Sequence, residues 1–249
     1  MNKPQMIIFD YGHTLLYEPE FDFLRGEKEI YKHIVKNPRQ LTVEDINKFG
    51  AELYQKNDFC RMYGYEFNNL QTMKLKYEYL GIELDISYEE AEIILWDSVS
   101  RGACMPYVEE MLECLKENEI RSGVISNIGW SGHALTERIN RLLPQNQFEF
   151  IIASSEYGIR KPNSMLFELA IQKANLHPND IWFCGDNVEA DVYGARSVGI
   201  FPVFYEDETV DCPWEGQNDD LKIDFKHLHI HSWVEMINIL KNLNNDMEY

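Results

Sequence analysis

Acidic, hydroxyl and amide side chains follow short apolar runs at three places along the chain, and a lysine lies just before a predicted helix at a fourth place. In chain order they are Asp10, Ser126, Asn127, Lys161, Asp186 and Asp191. Three carboxylates brought together repel one another, and a hard divalent cation such as Mg²⁺ relieves that repulsion. A carboxylate can also act as a nucleophile, while hydroxyl, amide and lysine groups stabilise the oxygens of a phosphoryl group in transfer. The set therefore indicates phosphoryl-transfer chemistry beside a metal ion.

Strand and helix patterns alternate after Pro106 and place the acidic, hydroxyl and amide residues at strand ends, with Lys161 between the third and fourth strands, just before a helix. Apolar runs predict strands over residues 6–9, 123–126, 148–153, 181–184, 200–204 and near 225–229. Helical spacing predicts helices over residues 106–118 (with Pro106 in the first turn), 132–143, 164–174, 189–197 and 232–243. Such alternation favours an α/β fold, a doubly wound, Rossmann-like parallel sheet with helices on both faces. Ligands of such sheets collect at the carboxyl ends of the strands.

The segment between the first strand and Pro106 has a different pattern. Apolar residues recur at helical spacing over residues 23–36, 42–57, 70–80 and 88–99, and no strand is predicted between them. We expect an α/β core domain of residues 1–16 and 104–249 and an inserted helical cap domain of residues 17–103. Since the insert follows the first strand, it should cover the site as a lid. Its aromatic residues are expected mostly in the core of the lid, with one or two of them lining the substrate pocket: Tyr54, Phe59, Tyr63, Tyr65 and Phe67.

Composition and charge exclude several classes of protein. The chain of 249 residues has 42 acidic against 23 basic residues, a formal net charge of −19, so binding to nucleic acid is not expected. No apolar run reaches the roughly 20 residues of a membrane helix, and the first residues do not resemble a signal peptide. Five scattered cysteines indicate reduced thiols, and we expect a cytoplasmic protein: they are Cys60, Cys104, Cys114, Cys184 and Cys212. The segment from Glu206 to Asp224 is polar and is expected to be a long exposed loop. The sequence predicts no oligomeric state.

The four segments together resemble the motifs of the haloacid dehalogenase superfamily, whose members are mostly Mg²⁺-dependent phosphohydrolases. The first motif of that family is Asp-x-Asp-x-Thr after a strand, the second a strand ending in Ser or Thr, the third a Lys, and the fourth Gly-Asp with a further acid. The matching segments are Asp10-Tyr11-Gly12-His13-Thr14, Val124-Ile125-Ser126-Asn127, Lys161-Pro162 and Gly185-Asp186 with Asp191. The resemblance covers residues 1 to about 204. It implies a helical lid of the family's first type.

The resemblance also implies a role for each matching residue. Asp10 would be the nucleophile and a ligand of Mg²⁺, and Gly12 would offer its backbone carbonyl to the metal. Asp186 and Asp191 would complete the metal site, with Asp191 also orienting Lys161. Catalytic contacts to the phosphoryl group would come from Ser126 and Lys161. Asn127 and Gly12 are substrate-binding candidates, and Asn127 and Asn187 rank second to the catalytic residues.

Gly12 is a departure from the family pattern. Phosphatases of the family have Asp there as the general acid and base, a function that contributes about 10²–10⁴-fold in rate. Alkyl phosphates should be affected most, since an alkoxide is a strongly basic leaving group, and acyl or aryl phosphates less. The neighbouring His13 titrates near neutrality and is a candidate substitute, or it only shapes the turn.

The leading interpretation is a Mg²⁺-dependent hydrolase, a phosphatase of a small phosphorylated metabolite, with an aspartyl-phosphate intermediate on Asp10. One alternative is a hydrolase of phosphonates or other C–X bonds. Phosphonate-cleaving relatives use a lid lysine as a Schiff base, and Lys48 and Lys56 are candidates. Dehalogenases usually lack the residue matching Asp186, which argues against dehalogenation. Another alternative is a non-catalytic binding protein with this fold.

Three histidines alternate near the end of the chain, at His227, His229 and His231. On a strand they would share one face, which could suggest a metal site. They are far in sequence from the carboxylates and close to a strand-to-helix junction, so no metal is expected there.

Overall fold

The computed structural model describes residues 2–207, 209–210 and 221–245. Its strands are β1 (Met6–Phe9), β2 (Leu16–Tyr17), β3 (Ile34–Lys36), β4 (Glu83–Leu84), β5 (Ala103–Cys104), β6 (Arg121–Ser126), β7 (Phe148–Ala153), β8 (Ile181–Gly185), β9 (Phe201–Tyr205) and β10 (Leu228–Ile230). Its α-helices are α1 (Phe23–Tyr31), α2 (Val43–Asp58), α3 (Asn69–Leu80), α4 (Tyr88–Val99), α5 (Val108–Glu117), α6 (Gly132–Leu142), α7 (Ser164–Ala174), α8 (Gly194–Ser197) and α9 (Trp233–Asn245). Short 3-10 segments and one π-helical segment, Val188–Tyr193, connect them.

The central sheet has six strands among the described residues, in the order β10-β9-β8-β1-β6-β7. Every neighbouring pair is parallel. The chain passes from β1 to β6 on one side and later returns to β8 on the other, so β1 lies where the strand order reverses. That reversal opens a crevice at the carboxyl ends of β1, β6 and β8.

Alternating side chains of β1 enter two different cores. Ile7 and Phe9 pack in a cluster with residues of α5, α6 and α9, while Met6 and Ile8 pack against α7 on the opposite face. Successive residues of a strand point to opposite faces, so a strand covered on both sides is apolar throughout. The predicted doubly wound α/β class is confirmed.

Helices α1 to α4 form their own cluster, centred on buried residues such as Ile30, Met73 and Tyr77. Thr42 caps α2 and Ser87 caps α4, each in a capping box with an acid of the first turn. At the base of this insert β2 pairs antiparallel with β5. The division into domains at residues 16 and 104 stays a prediction.

Several predicted bounds are wrong. Helix α1 ends at Tyr31, and the β-branched Ile34 and Val35 belong to β3, which pairs with β4 in a small sheet within the insert. Pro106 lies in the turn before α5, because Tyr107 has a left-handed backbone that starts the helix only at Val108.

The end of the chain also differs from the prediction in places. The residues predicted as one helix over 189–197 form a π-helical segment followed by α8, and the last strand is β10 at Leu228–Ile230. Most of the predicted loop after Glu206 lies outside the described residues. Cys60, Cys104, Cys114 and Cys184 are free thiols, and Cys212 is outside the described residues. In the described part of the chain no helix is both long and apolar enough to span a membrane.

Candidate active site

Four of the predicted site residues meet at the crevice beside β1. The Nζ of Lys161 donates to Oδ1 of Asp10 at 2.5 Å and to Oδ1 of Asp191 at 2.6 Å. Carboxylate oxygens of Asp10, Asp186 and Asp191 all lie within 4.8 Å of one another. Lys161 and Asp191 are buried, and Asp10 is 8% exposed. One lysine therefore joins two of three crowded carboxylates.

Local structure explains how the carboxylates are positioned. The backbone N–H of Asp10 donates to the carbonyl of Cys184 at 2.9 Å, which ties the end of β1 to β8. Oδ2 of Asp191 accepts from the backbone N–H of Asn187 at 3.0 Å. A Cβ at Gly185 would lie 2.3 Å from that same oxygen, so only glycine permits the close approach of Asp191. The Gly-Asp pair of the sequence thus has a steric cause.

Burial and mutual repulsion raise the pKa values of Asp186 and Asp191. Burial, followed by the charge of Asp10, raises the pKa of Asp186 well above its ordinary value. Burial raises the pKa of Asp191 to about 6, although Lys161 opposes the rise. For Lys161, burial alone would lower the pKa, but the charges of Asp10 and Asp191 outweigh it and the net shift is upward. The cluster has an excess of negative charge that the lysine alone does not neutralise.

Asn127 holds the lysine segment in place. Its side-chain Nδ2 donates to the backbone carbonyl of Lys161 at 2.9 Å, and its Oδ1 accepts from the backbone N–H of Lys161 at 2.7 Å. Both the nitrogen and the oxygen of the Asn127 side-chain amide bond to the backbone of Lys161, so Asn127 positions that residue. Ser126 is buried at the end of β6. Ser126 and Asn127 both line the cavity into which Asp10 and Lys161 also face. Their contact with substrate stays a prediction.

Gly12 faces open space. A Cβ built there would meet only Oδ2 of Asp10, at 3.8 Å. Next to it, His13 has a left-handed backbone with φ 51°, which is uncommon for a residue with a side chain. Both residues line the cavity. The structure therefore places an imidazole at the cavity wall beside the position where the family pattern has a carboxylate.

A cavity of about 750 Å³ is lined by all eight predicted site residues, which are Asp10, Gly12, His13, Ser126, Asn127, Lys161, Asp186 and Asp191. The lid contributes Arg61, Met62 and Gly64 to its wall. Among the described residues that line it, the lysine and arginine side chains are Arg61, Arg160 and Lys161. Lys48 and Lys56 are exposed on α2 and do not line the cavity. The arrangement offers no lid lysine for a Schiff base among these lining residues.

The expectation for the lid aromatics is wrong. Tyr54, Phe59, Tyr63 and Tyr65 are exposed rather than packed in the core of the lid. Tyr54 lies in the last turns of α2, Phe59 and Tyr63 lie in the 3-10 segment Phe59–Tyr63, and Tyr65 follows that segment. The helical periodicity that motivated the prediction ends there. None of them is among the described residues lining the cavity.

Sequence reasoning missed a buried acid that joins the lid to the core. The side chain of Glu66 is fully buried and accepts from Nε of Arg61 at 2.8 Å and from Oγ of Ser154 at 3.1 Å. Arg160, next to Lys161, forms an ion pair with it at 3.6 Å. Backbone bonds reinforce this contact, from Glu66 N–H to the Gly158 carbonyl and from Arg160 N–H to the Gly64 carbonyl. No sequence signal connects residues this far apart.

Aromatic residues form another unpredicted wall of the cavity. Trp96 of α4 stacks on Trp130 of the core with ring centroids 4.9 Å apart, and the guanidinium of Arg138 lies 4.1 Å from the Trp96 ring. The hydroxyl of Tyr11 donates to Glu18, which also accepts from Arg138 at 2.9 Å. Burial raises the pKa of Tyr11 well above its ordinary value, so its hydroxyl stays protonated at neutral pH.

Comparison with known proteins agrees with the fold and the site. The sequence profile of the haloacid dehalogenase-like hydrolases matches residues 27–204. This protein belongs to that family of hydrolases.

Individual relatives are distant but span the chain. A glyceraldehyde 3-phosphate phosphatase of Methanocaldococcus jannaschii is 25% identical over 248 residues, covering 96% of this chain and 98% of the relative. A crystal structure of a HAD phosphatase from Thermococcus onnurineus superposes with a TM-score of 0.59 at 20% identity, covering 96% of this chain and 98% of that one. A 2-haloacid dehalogenase from Pseudomonas syringae pv. Tomato gives a TM-score of 0.57 at 17% identity, covering 97% and 99%. At such identities the structures show a shared fold and do not discriminate between the two activities.

Proposed function

We propose that this protein is a Mg²⁺-dependent phosphatase of a small phosphorylated metabolite that acts through an aspartyl-phosphate on Asp10. The observation that carries the proposal is the bridge of Lys161 between Asp10 and Asp191, beside Asp186, at the sheet's switch point. A lysine at this position places positive charge beside the carboxylate of Asp10 and next to a transferred phosphoryl group.

The donor set fits Mg²⁺. Three carboxylates within 4.8 Å of one another are hard oxygen ligands, and burial together with the charges of Asp10 and Asp191 raises the pKa of Asp186. Asp10, Asp186 and Asp191 would hold the ion, with the Gly12 carbonyl as a further oxygen. When bound, Mg²⁺ would neutralise charge on the phosphoryl oxygens.

The residues of this chain support a two-step reaction. A carboxylate oxygen of Asp10 forms a bond to phosphorus as the bond from phosphorus to the leaving oxygen breaks. Lys161 and Ser126 hold the phosphoryl oxygens during the transfer. Water then attacks the phosphorus, releasing inorganic phosphate and restoring Asp10. The leaving oxygen needs a proton, and His13 is the titratable side chain next to the position of Gly12.

Small sugar phosphates are the first substrates to test. The cavity is about 750 Å³, and several relatives are named as glyceraldehyde 3-phosphate phosphatases. Another relative, from Halopiger xanaduensis, is named as a ribulose-1,5-bisphosphate 5-phosphatase. Arg160, beside Lys161 in the cavity wall, provides positive charge for an anionic group.

The test is a panel of acyl, aryl and alkyl phosphates with Mg²⁺ and with EDTA. We expect Mg²⁺-dependent release of phosphate that Asp10→Asn abolishes. Asp180→Asn, at the opposite end of β8, is the matched control and should retain full activity. Activity that survives Asp10→Asn would refute the nucleophile. If no phosphate is hydrolysed, and beryllofluoride with Mg²⁺ does not raise the melting temperature, a non-catalytic binding protein is the better interpretation.

A further inference from the structure

Two histidines and a glutamate meet at the outer edge of the sheet, away from the carboxylate cluster. His229 lies on the edge strand β10, His231 follows it, and Glu206 follows β9. Parallel pairing of Tyr205 with Ile230 places Glu206 beside both histidines although they are more than twenty residues apart in sequence. The expectation that these histidines bind no metal was made from the sequence, in which no carboxylate was placed beside them.

The donor atoms of the three side chains converge. Oε2 of Glu206 lies 2.8 Å from Nε2 of His229 and 4.0 Å from Nδ1 of His231. The three ligand atoms lie within 4.8 Å of one another. The backbone carbonyl oxygen of Glu206 is a fourth possible ligand atom, 3.2 Å from Nδ1 of His231. Tetrahedral bonds of about 2.0–2.1 Å place ligand atoms roughly 3.3 Å apart, so small side-chain adjustments suffice.

We propose that Glu206, His229 and His231 form a second metal site, selective for a transition-metal dication such as Zn²⁺. Imidazole nitrogens with one carboxylate suit zinc, cobalt and nickel, whereas Mg²⁺ prefers oxygen ligands alone. The two clusters of this chain therefore differ in donor chemistry. Side-chain exposures of 41% for Glu206, 39% for His229 and 57% for His231 leave room for water to complete the coordination.

Backbone contacts give the site a rigid base. The N–H of Glu206 donates to the carbonyl of Ile230 at 2.9 Å, so the two segments that carry the ligands are already joined. Two residues after His231, the buried Trp233 begins α9, and its Nε1 donates to the carbonyl of Thr14 at 3.0 Å. A bound cation would fasten β9, β10 and the start of α9 together. The segment that it fastens touches the loop that follows Asp10.

The second metal site does not depend on the proposed phosphatase activity, and it is tested by measuring the binding of Zn²⁺. The full-length protein is titrated with Zn²⁺, and separately with Co²⁺, by calorimetry in a large excess of Mg²⁺, which occupies the carboxylate cluster. We expect one site, with the melting temperature rising as Zn²⁺ is added.

His229→Ala and His231→Ala should each weaken binding by more than about tenfold, since losing even an outer-shell partner of a metal costs about 10–100-fold. His177→Ala is the matched control, because His177 is an exposed histidine at the opposite end of the sheet, just before β8. Circular dichroism checks that each variant is folded.

Absence of Zn²⁺ binding in the wild-type protein would overturn the proposal. Binding that is unchanged in both histidine variants would also overturn it, since the metal would then occupy the carboxylate cluster. Co²⁺ provides a spectroscopic check, because the wild-type protein should show visible absorption bands that both variants lose.

Discussion

Replacing Gly12 by Asp should restore the acid and base that the first motif lacks. The position can accept a side chain, because a Cβ there meets only Oδ2 of Asp10, at the ordinary contact distance of 3.8 Å. The backbone of Gly12 lies outside the left-handed region, so the substitution introduces no backbone strain. We expect Gly12→Asp to fold and to place a carboxyl group next to the nucleophile.

The size of the gain follows from the chemistry and from local charge. A positioned general acid contributes about 10²–10⁴-fold, equivalent to about 3–5 kcal/mol of barrier. Two carboxylates about 4 Å apart repel by about 4 kcal/mol at an effective dielectric constant of about 20. That repulsion raises the pKa of the introduced carboxyl group and keeps it protonated, as a proton donor must be. We expect kcat for alkyl phosphates to rise about 100-fold, the lower end of the range.

The assay compares an alkyl phosphate with p-nitrophenyl phosphate. The aryl leaving group is a weak base and needs little protonation, so its turnover should change much less. Gly12→Asn is the matched control, because it has the same shape and cannot transfer a proton. The ratio of alkyl to aryl turnover should therefore rise in Gly12→Asp and stay at the wild-type value in Gly12→Asn.

An unchanged or lower ratio in Gly12→Asp would refute the reasoning that a proton donor is missing. Equal gains in Gly12→Asp and Gly12→Asn would attribute the effect to packing. His13→Ala in the wild-type background then tests the alternative donor: a selective loss of alkyl phosphate turnover would assign the proton transfer to His13.

Three further predictions concern stability, each measured as the free energy of unfolding in urea. Glu66→Ala should cost about 1–3 kcal/mol, because it removes the buried acceptor of Ser154 and the ion pairs with the half-buried Arg61 and Arg160, although Arg61 keeps its pair with Asp58. Glu66→Gln should cost clearly less, and equal losses would contradict the ion-pair explanation. The pKa of Asp191 is raised from 3.8 in the unfolded chain to about 6, so its own contribution to the stability of the metal-free protein should fall by about 3 kcal/mol as the pH rises from about 4 to about 6. The loss is measured as the difference between the wild-type protein and Asp191→Asn in EDTA, and Mg²⁺ should restore stability at pH 7. A difference that does not change with pH would refute the shift. Gly26→Ala should destabilise by about 1–3 kcal/mol, because its Cβ would lie 2.6 Å from Cγ2 of Val99 and 2.9 Å from the backbone carbonyl oxygen of Leu95. Gly50→Ala, in a half-buried part of α2, should cost less, because its nearest contact is Cδ of the buried Lys76 at 3.3 Å and alanine favours the helix by about 1 kcal/mol. The reverse order would contradict the packing.

The elements of the core could be predicted from the sequence because their signals are local. Buried parallel strands are continuous apolar runs, and the residues that follow them lie at the same edge of the sheet. Asp10, Ser126 and Asp186 could therefore be assigned to one crevice before any contact was known. The bounds of β7 and α7 were predicted as observed, since turn residues mark both ends.

Predictions within the lid were weaker where periodicity was extended past its end. Ile34 and Val35 continue the apolar pattern of α1 but form β3, because pairing with β4 across about fifty residues outweighs a weak helix propensity. The aromatic residues from Tyr54 to Tyr65 follow helical spacing only in part, and packing leaves them exposed.

The sequence by itself determined the fold class, the order of the motifs and the absence of a carboxylate at Gly12. Only the tertiary structure decided that Glu66 joins the lid to Arg160, and that Glu206 lies beside His229 and His231. The physical reason is the range of the interactions. Hydrogen-bonded turns and side-chain alternation act over a few residues and leave a periodic trace in the sequence. A buried ion pair or a set of metal ligands depends on strand order and lid docking, which bring together residues that no local pattern connects.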